Sequence, residues 1–294
     1  MREAGLTLIA LAVVALTAAT GPSRADAGSG GTGAGFELEA AKPKPSSAFF
    51  DARRPLRLRY RFSASRSLDV LIRVVREADG ETVRRWTEPD LAAGKLYRRR
   101  WDGRESDGDV AVDGAYAFRV GPVGRDGARG GRFRFHDHIF PIAGEHSYGD
   151  RFGEPRSGGR VHEGQDLAAA CGTPLLAARG GRIQDKGYSD ALYGYHVTID
   201  GLATRRDYFY AHLESPTPLA DGARVHTGDR IGGVGKTGNA RGEFCQLHLE
   251  LWPGGYREAA PEDPLGALQL WDSFSRAPEL QSSSSARPSW ARRR

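Results

Sequence analysis

Leu56-Arg57-Leu58-Arg59-Tyr60-Arg61-Phe62 alternates apolar and basic residues without a break. Successive side chains of a strand point to opposite faces, so this run reads as a strand with one face buried and the other in water. The same period continues along the chain. Leu68–Val75 is a second strand, closed by a hairpin signal at Asp79-Gly80, and Thr82–Trp86 returns from it. Leu96–Trp101 alternates again up to Asp102-Gly103, and Asp113-Gly114 opens Ala115–Val120. Short strands separated by regular turns specify a β-sandwich, expected over residues 48–135. Trp86, Trp101 and Tyr116 are expected in its core.

The run from Val70 through Asp79-Gly80, Ala93-Gly94, Trp101-Asp102-Gly103 and Asp113-Gly114-Ala115-Tyr116 resembles the immunoglobulin-like domain of flagellar hook-capping proteins. That resemblance implies a fold and no chemistry.

Composition supports a β-rich chain. Gly supplies 39 of 294 residues, against a usual share near 7%. With 39% hydrophobic residues a packed core is available, which excludes wholesale disorder, a collagen-like chain and a multi-span membrane protein. The net charge is +5, much of it in the Arg-rich region 53–104 and in the tail Arg287–Arg294. Such a surface suits nucleic acid or an anionic envelope, or is simply a solvated charged face. No nucleic-acid motif is present, so nucleic acid is not an expected partner.

The amino terminus carries Arg2, an uncharged apolar stretch from Gly5 to Thr20, and small residues at Ala25-Asp26-Ala27. This is the pattern of a cleavable signal peptide over residues 1–27, an uncleaved anchor being the alternative. Export implies a secreted or envelope location and an oxidising compartment, in which Cys171 and Cys245 form the sole intrachain disulfide available, two free thiols being the alternative. Residues 28–47, rich in Gly, Ala, Lys, Pro and Ser, read as a flexible linker. Residues 272–294 read as a disordered basic tail.

All eight histidines lie between His136 and His248, so chemistry is expected in region 136–271. This region is β-rich too, with strands expected at Arg182–Asp185, Tyr195–Ile199, Asp207–Leu213, Arg230–Val234 and Cys245–Leu251, and no long helix. In His162-Glu163-Gly164-Gln165-Asp166, Gly164 argues against a helix; a turn aims an imidazole and a carboxylate together, both good zinc ligands. In Cys245–Leu251, Gln246, His248 and Glu250 share one strand face and the leucines the other. In Tyr208–Leu213, Tyr208, Tyr210 and His212 share a face. His136-Asp137-His138 also puts two imidazoles on one face, expected to be an exposed leading strand. Gly235-Lys236-Thr237-Gly238 lacks the spacing of a phosphate loop, so no nucleotide is expected.

With Phe140–Gly144, Gly172-Thr173-Pro174, Tyr193-Gly194, Val225–Asp229 and Gly235–Gly238, these pieces resemble the lysostaphin-type (LytM-like) zinc metallopeptidases over most of 140–265. The resemblance implies one Zn2+ per chain on His162, Asp166 and His248, with the coordination position left open that catalytic sites keep. It implies His212 as a catalytic proton carrier and hydrolysis of peptidoglycan stem or cross-bridge peptides. The family places a second catalytic histidine where this chain has Gln246, which cannot take a proton at neutral pH. Three readings follow: His212 serves alone at reduced rate, a loop supplies His136, His138 or His146, or the protein is a zinc-loaded, inactive binder or regulator of another hydrolase. If the strands next to Cys171 and Cys245 are neighbours in the fold, their disulfide would brace the zinc site; the sandwich is expected to space or dock the enzyme, with another envelope protein as a candidate partner. The oligomeric state is not set by the sequence.

Overall fold

The computed structural model describes residues 35–275. The expected signal peptide and the tail beyond residue 275 lie outside them. The described chain is nearly all β, with one short α-helix.

Eight strands form the first half: β1 (Glu37–Lys44), β2 (Ser47–Phe49), β3 (Leu56–Ser63), β4 (Leu68–Arg76), β5 (Thr82–Leu91), β6 (Tyr97–Trp101), β7 (Gly114–Pro122) and β8 (Ala128–His136). They make two sheets, β1-β3-β6 and β2-β8-β7-β4-β5, that enclose one core. The alternation in β3 is realised residue by residue: Leu56, Leu58, Tyr60 and Phe62 are buried, while Arg57, Arg59 and Arg61 are exposed. Trp101 sits at the centre of the core, with the rings of Tyr116, Phe133 and Phe135 at 5.5, 5.6 and 4.9 Å. Its indole N–H donates to the Arg104 carbonyl at 2.8 Å, so the one polar atom of this large side chain is satisfied. Tyr116 is likewise buried and Trp86 half-buried.

The linker expected over residues 28–47 is corrected by the structure from residue 37 on; residues 28–34 lie outside the described residues. Residues 37–44 are a strand, paired antiparallel with β3 from Glu37↔Ser63 to Lys44↔Arg57. Its Ala, Lys and Pro content resembles a linker, yet an edge strand tolerates proline. The partner supplies the fit: Gly130 and Gly131 of β8 have no side chains, so Ala41 and Pro43 settle directly against them.

The second half carries β9 (His146–Tyr148), β10 (Gln165–Ala169), β11 (Pro174–Leu176), β12 (Gly181–Ser189), β13 (Gly194–Gly201), β14 (Arg206–Leu213), β15 (Arg224–Val225), β16 (Arg230–Gly233) and β17 (Gln246–Pro253), then helix α1 (Leu265–Ser275). A seven-stranded antiparallel sheet has the order β15-β12-β13-β14-β17-β10-β9, and β11 pairs with β16 beside it. Leu247, Leu249 and Leu251 of β17 join Tyr208 and Tyr210 of β14 in the core.

Helix α1 was not expected, and it takes Asp272–Ser275 out of the expected tail. Asp263 accepts the Leu265 amide at 2.9 Å and Pro264 precedes it, a start signal legible in the sequence. The helix buries Leu268 and Trp271. It also covers the leading histidines, which are not exposed. His136 stacks on Phe274 at 3.7 Å and His138 on Trp271 at 4.5 Å. Across the two halves, Arg53 pairs with Asp229, Arg224 Nη2 donates to Asp51 at 2.8 Å, and the Arg179 guanidinium lies over Phe50 at 4.3 Å.

Candidate functional site

The site grows from the central register of the second sheet. Asp166 of β10 stands directly opposite His248 of β17. His162 arrives from the turn before β10, where Gly164 leaves room for the chain to cross β17; a Cβ there would meet the His248 ring at 2.8 Å. His162 Nε2, Asp166 Oδ1 and His248 Nδ1 converge, at 3.1 Å from His162 to Asp166 and 2.8 Å for each of the other two pairs. All three residues are buried.

Neighbouring groups fix which atoms face the centre. His162 Nδ1–H donates to the Arg151 carbonyl at 2.8 Å, which leaves Nε2 inward. His248 Nε2–H donates to Glu250 Oε1 at 2.8 Å, which leaves Nδ1 inward, and Trp252 Nε1–H holds the other Glu250 oxygen at 2.7 Å. Arg156 donates to Asp166 Oδ2 at 3.3 Å and to Asp150 at 2.6 Å, so Asp166 offers its remaining oxygen to the centre. Such outer partners are what orient metal-binding imidazoles and carboxylates. Tetrahedral zinc with bonds near 2.0–2.1 Å needs donors about 3.3 Å apart, so this donor set fits after a small expansion. The cluster could hold a metal ion with one position left open.

The electrostatics agree. Burial alone would lower the His248 pKa, but hydrogen bonds to Asp166 and Glu250 outweigh it and lift the ring to about 9. Burial would raise Asp166, yet hydrogen bonds from His162 and His248 hold its carboxyl well below the usual range. In the metal-free chain a proton on His248 therefore stands where a cation would bind.

His212 reaches the same cleft by a different route than strand alternation predicts. Alternation places it with Tyr208 and Tyr210, and those two are core residues. His212 instead has φ of +60°, the left-handed region that non-glycine residues seldom occupy. This irregularity turns the imidazole into the cleft and returns Leu213 to the core. Its Nδ1–H donates to the Thr237 carbonyl at 2.8 Å, and its ring centre lies 6.0 Å from that of His248. Burial and the nearby His248 push its pKa down to about 4. Gln246 lies on the His248 face of β17, opposite Ala168, and lines the same cleft of about 210 Å³ with Glu163, Tyr193, His212 and Asn239.

The remaining histidines stay outside this cleft. His138 is held by Asp137 at 2.6 Å and Tyr208 at 2.5 Å, and His146 stacks on Phe140 at 4.1 Å. Neither these nor His136 lines the cleft, so the loop-supplied substitute for Gln246 is corrected. Cys171 and Cys245 form a disulfide with Cα atoms 5.2 Å apart. It joins the chain leaving β10 to the residue before Gln246, which braces the two strands that carry Asp166 and His248. Arg151, Arg156, Thr237 and Trp252 were not anticipated. Trp252 shares the period-2 face of His248 and Glu250 and was legible; the others are brought in by the fold.

Residues 160–261 match Peptidase family M23. A stretch of 148 residues is 30% identical to the L-Ala--D-Glu endopeptidase of Bacillus subtilis, covering 47% of this chain and 45% of that protein. A stretch of 121 residues is 33% identical to the lipoprotein NlpD/LppB homolog of Pseudomonas aeruginosa, covering 41% and 37%. The chain thus spans less than half the length of either relative. Among solved structures, the catalytic domain of the antimicrobial peptidase lysostaphin from Staphylococcus simulans aligns at 26% identity with a TM-score of 0.39, over 42% of this chain and 92% of that one. The sequence matches support the M23 peptidase family for the second half of the chain.

Proposed function

We propose that the chain is an exported zinc metalloendopeptidase that hydrolyses peptide bonds of peptidoglycan, with one zinc held by His162, Asp166 and His248. The observation that carries this reading is the convergence of three donor atoms within 3.1 Å, each set by an outer hydrogen bond. A zinc ion there supplies Lewis acidity toward the scissile carbonyl and toward water. The B. subtilis relative, a peptidase by name, supports the substrate class.

The chain's own residues do the rest. With Nδ1–H on Thr237, neutral His212 presents a bare Nε2 to the cleft and can accept a proton there. Its lowered pKa keeps it neutral at physiological pH. Gln246 can donate a hydrogen bond to a developing oxyanion but moves no proton. Arg156 fixes the orientation of Asp166. The sandwich, read as immunoglobulin-like, spaces or docks this catalytic half in the envelope. Export through residues 1–27 belongs to the same reading; no helix among the described residues is long and apolar enough to cross a membrane.

Gln246 favours a second reading, a zinc-loaded protein that holds wall peptides or regulates another hydrolase without turnover. A paired assay separates the two. Zinc content and hydrolysis of purified peptidoglycan are measured for wild type, Gln246→His and His212→Ala. The enzyme reading expects slow turnover in wild type, its loss in His212→Ala, and a gain on the order of 10² in Gln246→His, since one acid–base group is typically worth 10²–10⁴. Bound zinc without turnover in any variant would leave the regulator reading.

A further inference from the structure

The outward face of the β1-β3-β6 sheet carries Lys42, Lys44, Arg57, Arg59, Arg61, Arg98 and Arg100, all exposed. The register sets like charges directly across from one another: Arg57 faces Lys44 on one side and Arg100 on the other, and Arg59 faces Lys42 and Arg98. None of the seven makes an ion pair among the described residues. The nearest acidic residues in sequence are Glu37 at the start of β1, Glu39 at the β1 bulge beside the Ala40–Arg61 pair, and Asp102 just past β6. Directly opposed like charges cost stability in a sheet. An ordinary solvated face intersperses both signs. Protection of sheet edges by cations accounts for β1 and β6, but not for three arginines on the central strand β3.

We infer that this face is a docking surface for a linear polymer whose charge lies in backbone phosphodiesters. The patch is roughly 10 Å across three strands and roughly 13 Å along Arg57–Arg61, with cations about 6.8 Å apart along each strand. Five of the seven are arginines, whose planar fork matches the paired non-bridging oxygens of a phosphodiester. The face holds no aromatic side chain on which nucleic-acid bases would stack. It holds no large apolar side chain to enter a bilayer. Recognition therefore rests on charge and on the strand spacing. This surface belongs to the sandwich and does not depend on the catalytic reading.

The test uses the full chain and four fluorescent probes: poly(glycerol phosphate), a polyuronate, phosphatidylglycerol vesicles and single-stranded DNA. Poly(glycerol phosphate) is expected to bind most tightly. The quadruple variant Arg57→Gln, Arg59→Gln, Arg98→Gln, Arg100→Gln should lose at least about tenfold in affinity, and its slope of log affinity against log salt should shrink by about three units, at about 0.7 per lost contact. A variant with Gln at the exposed Arg66, Arg125, Arg182 and Arg205, all outside this sheet, should stay near wild type. Thermal melting of the first variant should match or exceed wild type; if it unfolds, Arg59→Gln alone carries the test with a slope change of about 0.7. Equal losses in both quadruple variants, an unchanged first variant, or tighter binding of any other probe would overturn the inference.

Discussion

Strands β3 and β17 have the same kind of sequence, alternating apolar with polar residues, and opposite fates. In β3 the polar row faces water and its arginines have no ion-pair partner among the described residues. In β17 both rows are buried. There Gln246, His248 and Glu250 line the cleft that His162 enters from the turn before β10 and His212 from β14, while Trp252 packs on Phe209 and Ala211. A buried ionisable side chain must be partnered, and the chain Asp166–His248–Glu250–Trp252 is that partnering. Period-2 alternation therefore identifies a strand but not which of its faces meets water. That is decided by what the rest of the chain lays over it.

Substitutions on the two strands should rank accordingly. Leu58→Ala, on the buried row of β3, should cost about 2–5 kcal/mol in denaturant unfolding, because it empties a packed position in the sandwich core. A cost below about 1 kcal/mol would mean that this core is loose. Glu250→Gln, on the polar row of β17, weakens the acceptor on His248 and should reduce zinc affinity by about 10–100-fold in a competition titration. The same titration run against pH gives the sign of the linkage. His248 is raised from 6.5 to about 9 in the metal-free fold, so zinc must displace a proton below that pH and its affinity should fall as pH drops. For the metal-free chain, that raised pKa contributes stability that is complete below pH 6.5 and is lost as pH rises through about 9. Arg59→Gln, on the water-facing row of β3, should have the smallest effect: a stabilisation of about 0.2–1 kcal/mol from relieved repulsion against Lys42 and Arg98.

Most of the strands were legible, because alternation and Asp-Gly turns are local signals. The convergence of His162, Asp166 and His248 was legible only through the family's motif spacing, since nothing local links positions more than eighty residues apart. The disulfide followed from having two cysteines and an expected oxidising compartment. Strand β1 was missed because its fit depends on Gly130 and Gly131 of another strand. The orientation of His212 was missed because it depends on a left-handed backbone that alternation cannot foresee. Sequence alone puts His136 and His138 on an exposed strand, because helix α1, which covers them, lies far along the chain despite its local Asp263-Pro264 start.

Metal content of the purified chain tests the proposed centre most directly. Wild type incubated with zinc and dialysed should retain one ion per chain, and Asp166→Ala, folded by circular dichroism, should retain none. A folded wild-type chain that returns from dialysis without zinc, or an Asp166→Ala variant that keeps a full equivalent, would contradict a metal centre at His162, Asp166 and His248.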